Sequence, residues 1–371
     1  MSDHTRREVL GAAAGGLLLG AAGGVGVLGS GKALAKEVTT VRWGVVGTGG
    51  IANSMARMIK LADNAELAAV SSRRMETARK FADTHDIPNT FDSWAELARS
   101  DAVDAIYVAT PTSVREEICL AAAAGGKHVL GEKPLASLPS VQRITAACRE
   151  NNLVFMDGTH FVHHPRTLAI KAQRAKLTGE PWSVASAFQF NLKDRNNIRF
   201  NTRLEPMGAI GDAGWYNMRA AVEYLPGSVE IERVQAVLRR DKQTGAAISG
   251  SGLLQFTNGA TSTWNCGFDS GSVVMDLRIT GPEGVINIDN FLSQNRDFSA
   301  DYLHKHGGWG KAKSETINVP STKPGAALMF EDFAAAVADP TLREQWMRGT
   351  ERTQALLDRA WQSALDNEKA G

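Results

Sequence analysis

Gly47-Thr48-Gly49-Gly50-Ile51-Ala52 fits the G-x-G-x-x-A pattern that cradles a dinucleotide pyrophosphate. Alone the pattern is weak in a glycine-rich chain, but here it directly follows the apolar run Val41 to Val46 and opens a helical one. Each small residue then has a task. Gly47 allows the tight turn, Gly49 lets the pyrophosphate approach the backbone, and Ala52 allows close helix–strand packing. From Gly50 and Ile51 onward, the helix N-terminus offers free N–H groups and positive potential to phosphate.

The acidic residue that would bind a ribose 2′-hydroxyl about two dozen positions later is absent; the next strand ends in Ser71-Ser72-Arg73-Arg74. Arg73, with Arg74 beside it, can pair with a 2′-phosphate, and Ser71 or Ser72 can donate a hydrogen bond to it. Without the carboxylate there is no repulsion, so the spacing favours NADP(H) over NAD(H). A pair of solvated loop arginines is the competing reading.

These residues need a parallel sheet to hold them. Val41 to Val46, Leu67 to Ser71, Ala105 to Ala109, His128 to Gly131 and Val154 to Asp157 read as strands. They alternate with helices expected over Ile51 to Leu61, Glu76 to Thr84, Arg115 to Ala124 and Ser137 to Asn151, which makes βαβ units. Beyond Gly158 the texture changes to longer strands: Ser183 to Leu192, Val229 to Leu238, Ile248 to Phe256, Ala260 to Phe268, Val273 to Thr280 and Val285 to Ile288. Asn258-Gly259 and Gly281-Pro282-Glu283-Gly284 mark reversals between them, so this sheet is largely antiparallel. Helices are expected over Ala326 to Ala338, stopped at Pro340, and from about Gly349 to Glu368. The fold class is therefore α/β: a Rossmann domain over residues 36–158, then an α+β domain over 159–371 with a large, mostly antiparallel open sheet. A substrate site is expected between them.

Residues 1–35 read differently. Thr5-Arg6-Arg7-Glu8-Val9-Leu10 followed by a Gly/Ala-rich apolar stretch is a twin-arginine export signal, with Ala33-Leu34-Ala35 as its cleavage site. An uncleaved anchor or a fortuitous arginine pair is the alternative. Gly26 to Lys32 mimics a phosphate-binding loop but has Ala33 where Ser or Thr should follow, and no strand precedes it. Export in the folded state places the protein in the periplasm, where no nicotinamide pool exists to exchange with, so the cofactor should stay tightly bound.

The net charge of +1 gives no reason to propose nucleic acid or anionic membrane as a partner. The substrate is expected to be small and neutral or weakly charged. Cys119, Cys148 and Cys266 are odd in number and scattered, and read as core residues rather than a disulfide framework or metal site.

Gly131-Glu132-Lys133-Pro134 follows the strand His128 to Gly131, at the carboxyl edge where open α/β sheets bind ligands. With the fingerprint, the Thr110-Pro111 turn and Gly208 to Tyr216, this chain resembles the Gfo/Idh/MocA oxidoreductase family over essentially all of its mature length. The resemblance implies that Thr110, Pro111, Glu132 and Lys133 meet the cofactor and that Lys133 also touches substrate. Many members place Asp and His four residues apart where this chain has Asp212 and Tyr216, which on a helix share one face. Tyrosine there resembles the aldose-acting members, aldose-aldose and glucose-fructose oxidoreductases among them. A free tyrosine, with a pKa of about 10, is a poor base near neutrality. A nearby Lys133 ammonium is expected to lower that value, with Asp212 orienting Lys133 or sugar hydroxyls.

The family histidine after the Thr-Pro turn is Arg115 here, which either contacts cofactor phosphate or caps its helix. Asp157, His160, His163 and His164 lack the extra Cys or carboxylate of a metal site, so no metal is expected; His160 or His163 contacts sugar or is structural. Lys193, Asp194, Arg195 and Asn196 are further candidates for hydroxyl recognition, Arg195 foremost, though loop polarity explains them equally.

The expected activity is oxidation of an aldose at C1 to a lactone, with the hydride passed to a second sugar, in a homodimer or homotetramer. An NADP-dependent aldose or dihydrodiol dehydrogenase with exchangeable cofactor is the alternative, and a non-catalytic sugar- or nucleotide-binding module a more distant one.

Overall fold

The computed structural model describes residues 40–227 and 230–370. The export signal and the phosphate-loop mimic read within residues 1–35 lie outside them.

Short β-branched and aromatic runs form the first sheet: β1 (Val41–Val46), β2 (Ala65–Ser71), β3 (Asn89–Phe91), β4 (Ala105–Val108), β5 (His128–Gly131) and β6 (Phe155–Asp157). Their side chains are buried on both faces because α1 (Gly50–Leu61), α2 (Met75–His85), α3 (Trp94–Arg99), α4 (Thr112–Ala124) and α5 (Leu138–Glu150) provide the crossovers. The order is β3-β2-β1-β4-β5-β6, all parallel, so the connections reverse direction between β1 and β4. Beyond the carboxyl ends of those two strands lies the crevice in which such sheets bind ligands. The expected strands and helices are all present. β3 and α3 were not expected, because three residues, Asn89-Thr90-Phe91, are too few to show a period.

The second sheet has the order β14-β13-β12-β11-β7-β10-β9-β8. Its strands are β7 (Ser183–Asn191), β8 (Ile231–Arg240), β9 (Ala247–Phe256), β10 (Thr261–Gly267), β11 (Asp269–Thr280), β12 (Val285–Ile288), β13 (Ala300–His306) and β14 (Lys313–Val319). Within this sheet β7 and β10 are the one parallel strand pair among the described residues. Gly259, at φ +83°, makes the expected turn between β9 and β10. The short helices α6 (Pro165–Ala172) and α7 (Arg174–Leu177) lead into β7, and one face of the sheet is covered by α9 (Gly214–Tyr224), which follows the short α8 (Gly208–Asp212) and packs on β7 and β10.

The chain end returns to the first sheet. In α10 (Gly325–Ala338), Phe330 and Phe333 pack on Trp43 of β1 with ring centroids 4.9 and 4.6 Å away. All three rings are fully buried. α11 (Pro340–Ala370) then runs along α5 and β6 to β8, fastening the two sheets together. It begins nine residues before the expected Gly349. Pro340 sits where a helix tolerates a missing N–H, and Gly349 lies inside the helix at a closely packed position, where a Cβ would come 3.2 Å from Arg219 Nη2.

Candidate active site

The glycine turn is shaped for a ligand. Gly47 has φ +105°, its N–H donates to the Ser71 carbonyl at 2.9 Å, and a Cβ on it would lie 2.7 Å from the Ala109 carbonyl. Only glycine fits there. Gly49 and Gly50 are different, since a Cβ on either would meet no protein atom within 4 Å. Their surroundings are open, and the Gly49 N-cap provides no side-chain acceptor to the first α1 amides. Ala52 is fully buried against the sheet, while Ile51 is exposed at the rim.

Ser71 is buried at the end of β2, Ser72 is half-buried, and Arg73 and Arg74 are exposed. Neither guanidinium has a hydrogen-bond or ion-pair partner among the described residues. On the turn after β4, the Thr110 hydroxyl is buried without a partner and Pro111 caps α4. An open glycine turn, an uncapped helix start, two unpaired arginines and an orphaned hydroxyl fit NADP(H). Gly47 to Ala52 would hold the pyrophosphate and Ser71 to Arg74 the 2′-phosphate; when bound, the cofactor accepts or supplies hydride.

The chemical groups converge at the end of β5. The Tyr107 hydroxyl donates to Glu132 Oε1 at 2.7 Å, and Glu132 Oε2 accepts the Lys133 N–H at 3.2 Å, which fixes the turn; the following Lys133–Pro134 peptide is cis. Lys133 Nζ crosses to the second domain and donates to Asp212 Oδ1 at 2.7 Å and to the Asp212 carbonyl at 3.0 Å. The same ammonium lies 4.7 Å from the centroid of the Tyr216 ring. Asp212 and Tyr216 share a face as their spacing predicts, although α8 ends at Asp212 and α9 restarts at Gly214. His160, Phe161 and Phe188 surround the Tyr216 ring at centroid distances of 5.9, 6.4 and 5.5 Å.

The electrostatics correct one expectation. Burial pushes the Tyr216 phenol up to about 12, outweighing the lowering by Lys133, and the Glu132 and Asp212 carboxylates add to the rise. Lys133 is therefore insufficient to make the tyrosine a ready base, and Tyr216 stands as a phenol near neutrality. Burial disfavours the Lys133 charge too, but attraction by Asp212, Tyr216 and Glu132 prevails and holds it above its usual value. Asp212 stays ionised, well below the usual carboxylate range, because Lys133 and Arg199 together overcome its burial.

Arg199 escaped the sequence reading, which stopped at Asn196. Its Nε donates to Asp212 Oδ2 at 2.7 Å and its Nη2 to Oδ1 at 3.2 Å. Arg195 instead pairs with Asp241 at 3.0 Å and lies 4.7 Å over the Phe200 ring, so it braces the loop rather than joining the site. Asp194 Oδ1 accepts the Asn196 N–H at 2.9 Å in the same turn.

Of the histidines among the described residues, His160 alone reaches Tyr216. Its Nε2 is 3.2 Å from the Leu292 carbonyl, and burial pushes it down to about 4, so its ring is neutral. His163 is held away from the site, with Nδ1 2.6 Å from Asp332 Oδ2 and its ring against Trp346 at 4.5 Å. His164 bonds the Phe298 carbonyl at 2.8 Å. Asp157 accepts from Arg219 Nη1 and the Thr350 hydroxyl, both at 2.7 Å, in a buried cluster joining β6, α9 and α11. The buried guanidinium of Arg115, expected to meet cofactor phosphate or to cap its helix, donates to the Thr110 and Pro134 carbonyls and to Thr112 Oγ1, lacing two site turns together.

A parallel sheet with a dinucleotide turn at its switch point, whose Lys133 meets an aspartate and a tyrosine from a second domain, defines a nicotinamide-type oxidoreductase. The chain belongs to the Gfo/Idh/MocA family: the model of the oxidoreductase family with NAD-binding Rossmann fold matches residues 41–159 and that of the GFO/IDH/MocA C-terminal domain residues 169–287. It is 32% identical over 232 residues to dTDP-3,4-didehydro-2,6-dideoxy-α-D-glucose 3-reductase from Actinomadura kijaniata, spanning 62% of this chain and 69% of the relative. D-xylose 1-dehydrogenase (NADP(+)) 2 from Haloferax volcanii is 31% identical over 230 residues, 62% and 70% of the respective chains. Among solved structures, a 3-ketoreductase from Actinomadura kijaniata in complex with NADP and TDP-benzene superposes with a TM-score of 0.79 at 25% identity, covering 88% of this chain and 98% of the other. The aldose-aldose oxidoreductase from Caulobacter crescentus, complexed with glycerol, gives 0.77 at 21% identity over the same shares, a likeness of fold alone.

Proposed function

We propose that this chain is an NADP-dependent aldose oxidoreductase that works in the periplasm with its cofactor retained. It oxidises one sugar at C1 to a lactone and reduces a second to an alditol. The observation that carries the reading is the buried Lys133–Asp212–Tyr216 cluster at the carboxyl end of β5. Lys133 places an ammonium beside the reacting oxygen, and Asp212 fixes the ammonium. Tyr216 moves the proton: its phenol protonates the alkoxide of the sugar that gains hydride, and the phenolate so formed takes the anomeric hydroxyl proton of the sugar that loses hydride. Over the full cycle each sugar exchanges one hydride and one proton, and Tyr216 ends as it began. A tyrosine raised to about 12 by burial suits such a cycle, because its proton need not exchange with solvent between the halves.

Periplasmic location rests on Arg6-Arg7 and the apolar stretch behind them. Retention of NADP follows from location, and preference for NADP over NAD is supported by unpaired Arg73 and Arg74. Substrates are small sugars, and assembly into a homodimer or homotetramer is proposed from the family resemblance; a monomeric mass in solution would contradict that. A second reading, a reductase or dehydrogenase with exchangeable NADP(H), is favoured by the names of the two relatives and by a Tyr216 already protonated for reduction.

The test is an absorbance spectrum of purified, extensively dialysed protein before and after adding glucose, with no nicotinamide supplied. A band near 340 nm that a second aldose discharges supports the closed cycle. A band only after NADP+ is added supports the second reading, and none even then leaves a binding module.

A further inference from the structure

We propose that Arg199 is a positioning residue for the acid–base pair: by engaging the Asp212 carboxylate it leaves the charge and third N–H of Lys133 to the reacting oxygen and Tyr216. The inference rests on the functional reading above and deepens it.

The geometry is a fork. Arg199 grips both Asp212 oxygens, Nε to Oδ2 at 2.7 Å and Nη2 to Oδ1 at 3.2 Å, while Lys133 reaches Oδ1 at 2.7 Å. With Lys133 alone, Asp212 would form a one-to-one pair and cancel the ammonium within a water-poor site. With two cations on one carboxylate, a positive charge remains. Of the three N–H groups on the ammonium, two are accounted for by Asp212, its Oδ1 and its carbonyl. The third is available to an oxygen beside Tyr216.

Arg199 approaches from the mouth. Its side chain is 37% exposed, against 13% for Asp212 and 8% for Lys133. The turn that carries it, Ile198–Phe200, is held on both sides: Asn197 Oδ1 accepts the Arg199 N–H at 3.1 Å, and Phe200 packs under the Arg195 guanidinium and against Phe268. That bracing gives Arg195 its role.

The titratable groups facing Tyr216 and Lys133 are Glu132 on the β5 turn, Tyr107 on β4 behind it, His160, Asp212 and Arg199. Glu132 and Asp212 oppose ionisation of the phenol. Arg199 favours it, and also lowers Lys133.

The experiment compares wild type, Arg199→Met and Arg199→Lys as full-length holoenzyme. In the direction of sugar oxidation, the limb of log kcat that rises with pH should move up by about one pH unit in Arg199→Met. It should return at least halfway in Arg199→Lys, which restores charge but not the fork. Independently of turnover, the 13C NMR titration of reductively methylated Lys133 should move to higher pH in Arg199→Met. An unmoved limb and an unmoved Lys133 titration, with only KM or stability altered, would overturn the proposal. A shifted Lys133 titration in a protein that turns over no aldose would sink the functional reading and leave the positioning role intact.

Discussion

Lys133 Nζ and Asp212 Oδ1 stand 2.7 Å apart across the domain boundary, so the turn after β5 and the end of α8 are joined by an ion pair with side chains 8% and 13% exposed. The pair also has Arg199 on its far side. Replacing Asp212 by Asn should therefore leave two neighbouring cations without an anion. We expect a loss of about 3 kcal/mol in urea unfolding, and turnover reduced at least about tenfold because Lys133 is no longer fixed.

Tyr216 carries the proton in either direction. Tyr216→Phe should lower kcat by about 10²–10⁴-fold with cofactor binding intact, seen by steady-state rates and by titration of bound NADPH fluorescence. Burial raises the phenol to about 12, so the acid form persists below that value. Reduction measured from an added aldose should then be flat between about pH 6 and 9, whereas oxidation with exchangeable donor should rise with pH over the same range. A falling reductive rate through neutrality would contradict the assignment.

Acid should weaken the fold through its neutral histidines. Burial pushes His128 and His160 down to about 4 from the ordinary 6.5. Between those values the unfolded chain binds more protons, so stability rises with pH and is lost as pH falls from about 6.5 through 4. Each histidine contributes a slope of at most about 1.4 kcal/mol per pH unit. His128 Nδ1 accepts the Val154 N–H at 3.0 Å. His128→Asn keeps an acceptor there and removes the titration, so urea unfolding between pH 4 and 6.5 should show a shallower slope in the variant.

Cofactor choice should reside in two exposed residues. The double change Arg73→Ala and Arg74→Ala should raise the Kd for NADP at least about tenfold while leaving that for NAD within about twofold, since only the 2′-phosphate loses partners. Isothermal titration of protein refolded free of nucleotide decides it, and equal losses for both would mean the arginines hold something other than the 2′-phosphate.

Much of this was legible from the chain. The β1, β2, β4 and β5 strands are mostly apolar because helices cover both faces, and Gly47, Gly49 and Ala52 mark the turn after β1. β13 and β14 were not foreseen: β14, Lys-Ser-Glu-Thr-Ile-Asn-Val, is an exposed edge with too little alternation to stand out. The start of α11 was hidden by Gly349, which a local reading takes for a boundary and which lies inside the helix, tightly packed against Arg219. In the site, Lys133, Asp212 and Tyr216 could be found because they lie in motifs or at helical spacing. Arg199 could not, since it reaches Asp212 from a loop whose course depends on Phe200 and Arg195. The fall of Tyr216 expected from Lys133 failed for a related reason: sequence shows the neighbouring charge but not the depth of burial that outweighs it.

The central claim is that one bound cofactor carries hydride from sugar to sugar. Dialysed enzyme is given C1-deuterated glucose and an unlabelled second aldose in the presence of excess unlabelled NADPH, and the alditol is weighed by mass spectrometry. A closed cycle predicts alditol carrying one deuterium undiluted by the free NADPH; alditol whose deuterium is diluted in proportion to added NADPH would contradict the account.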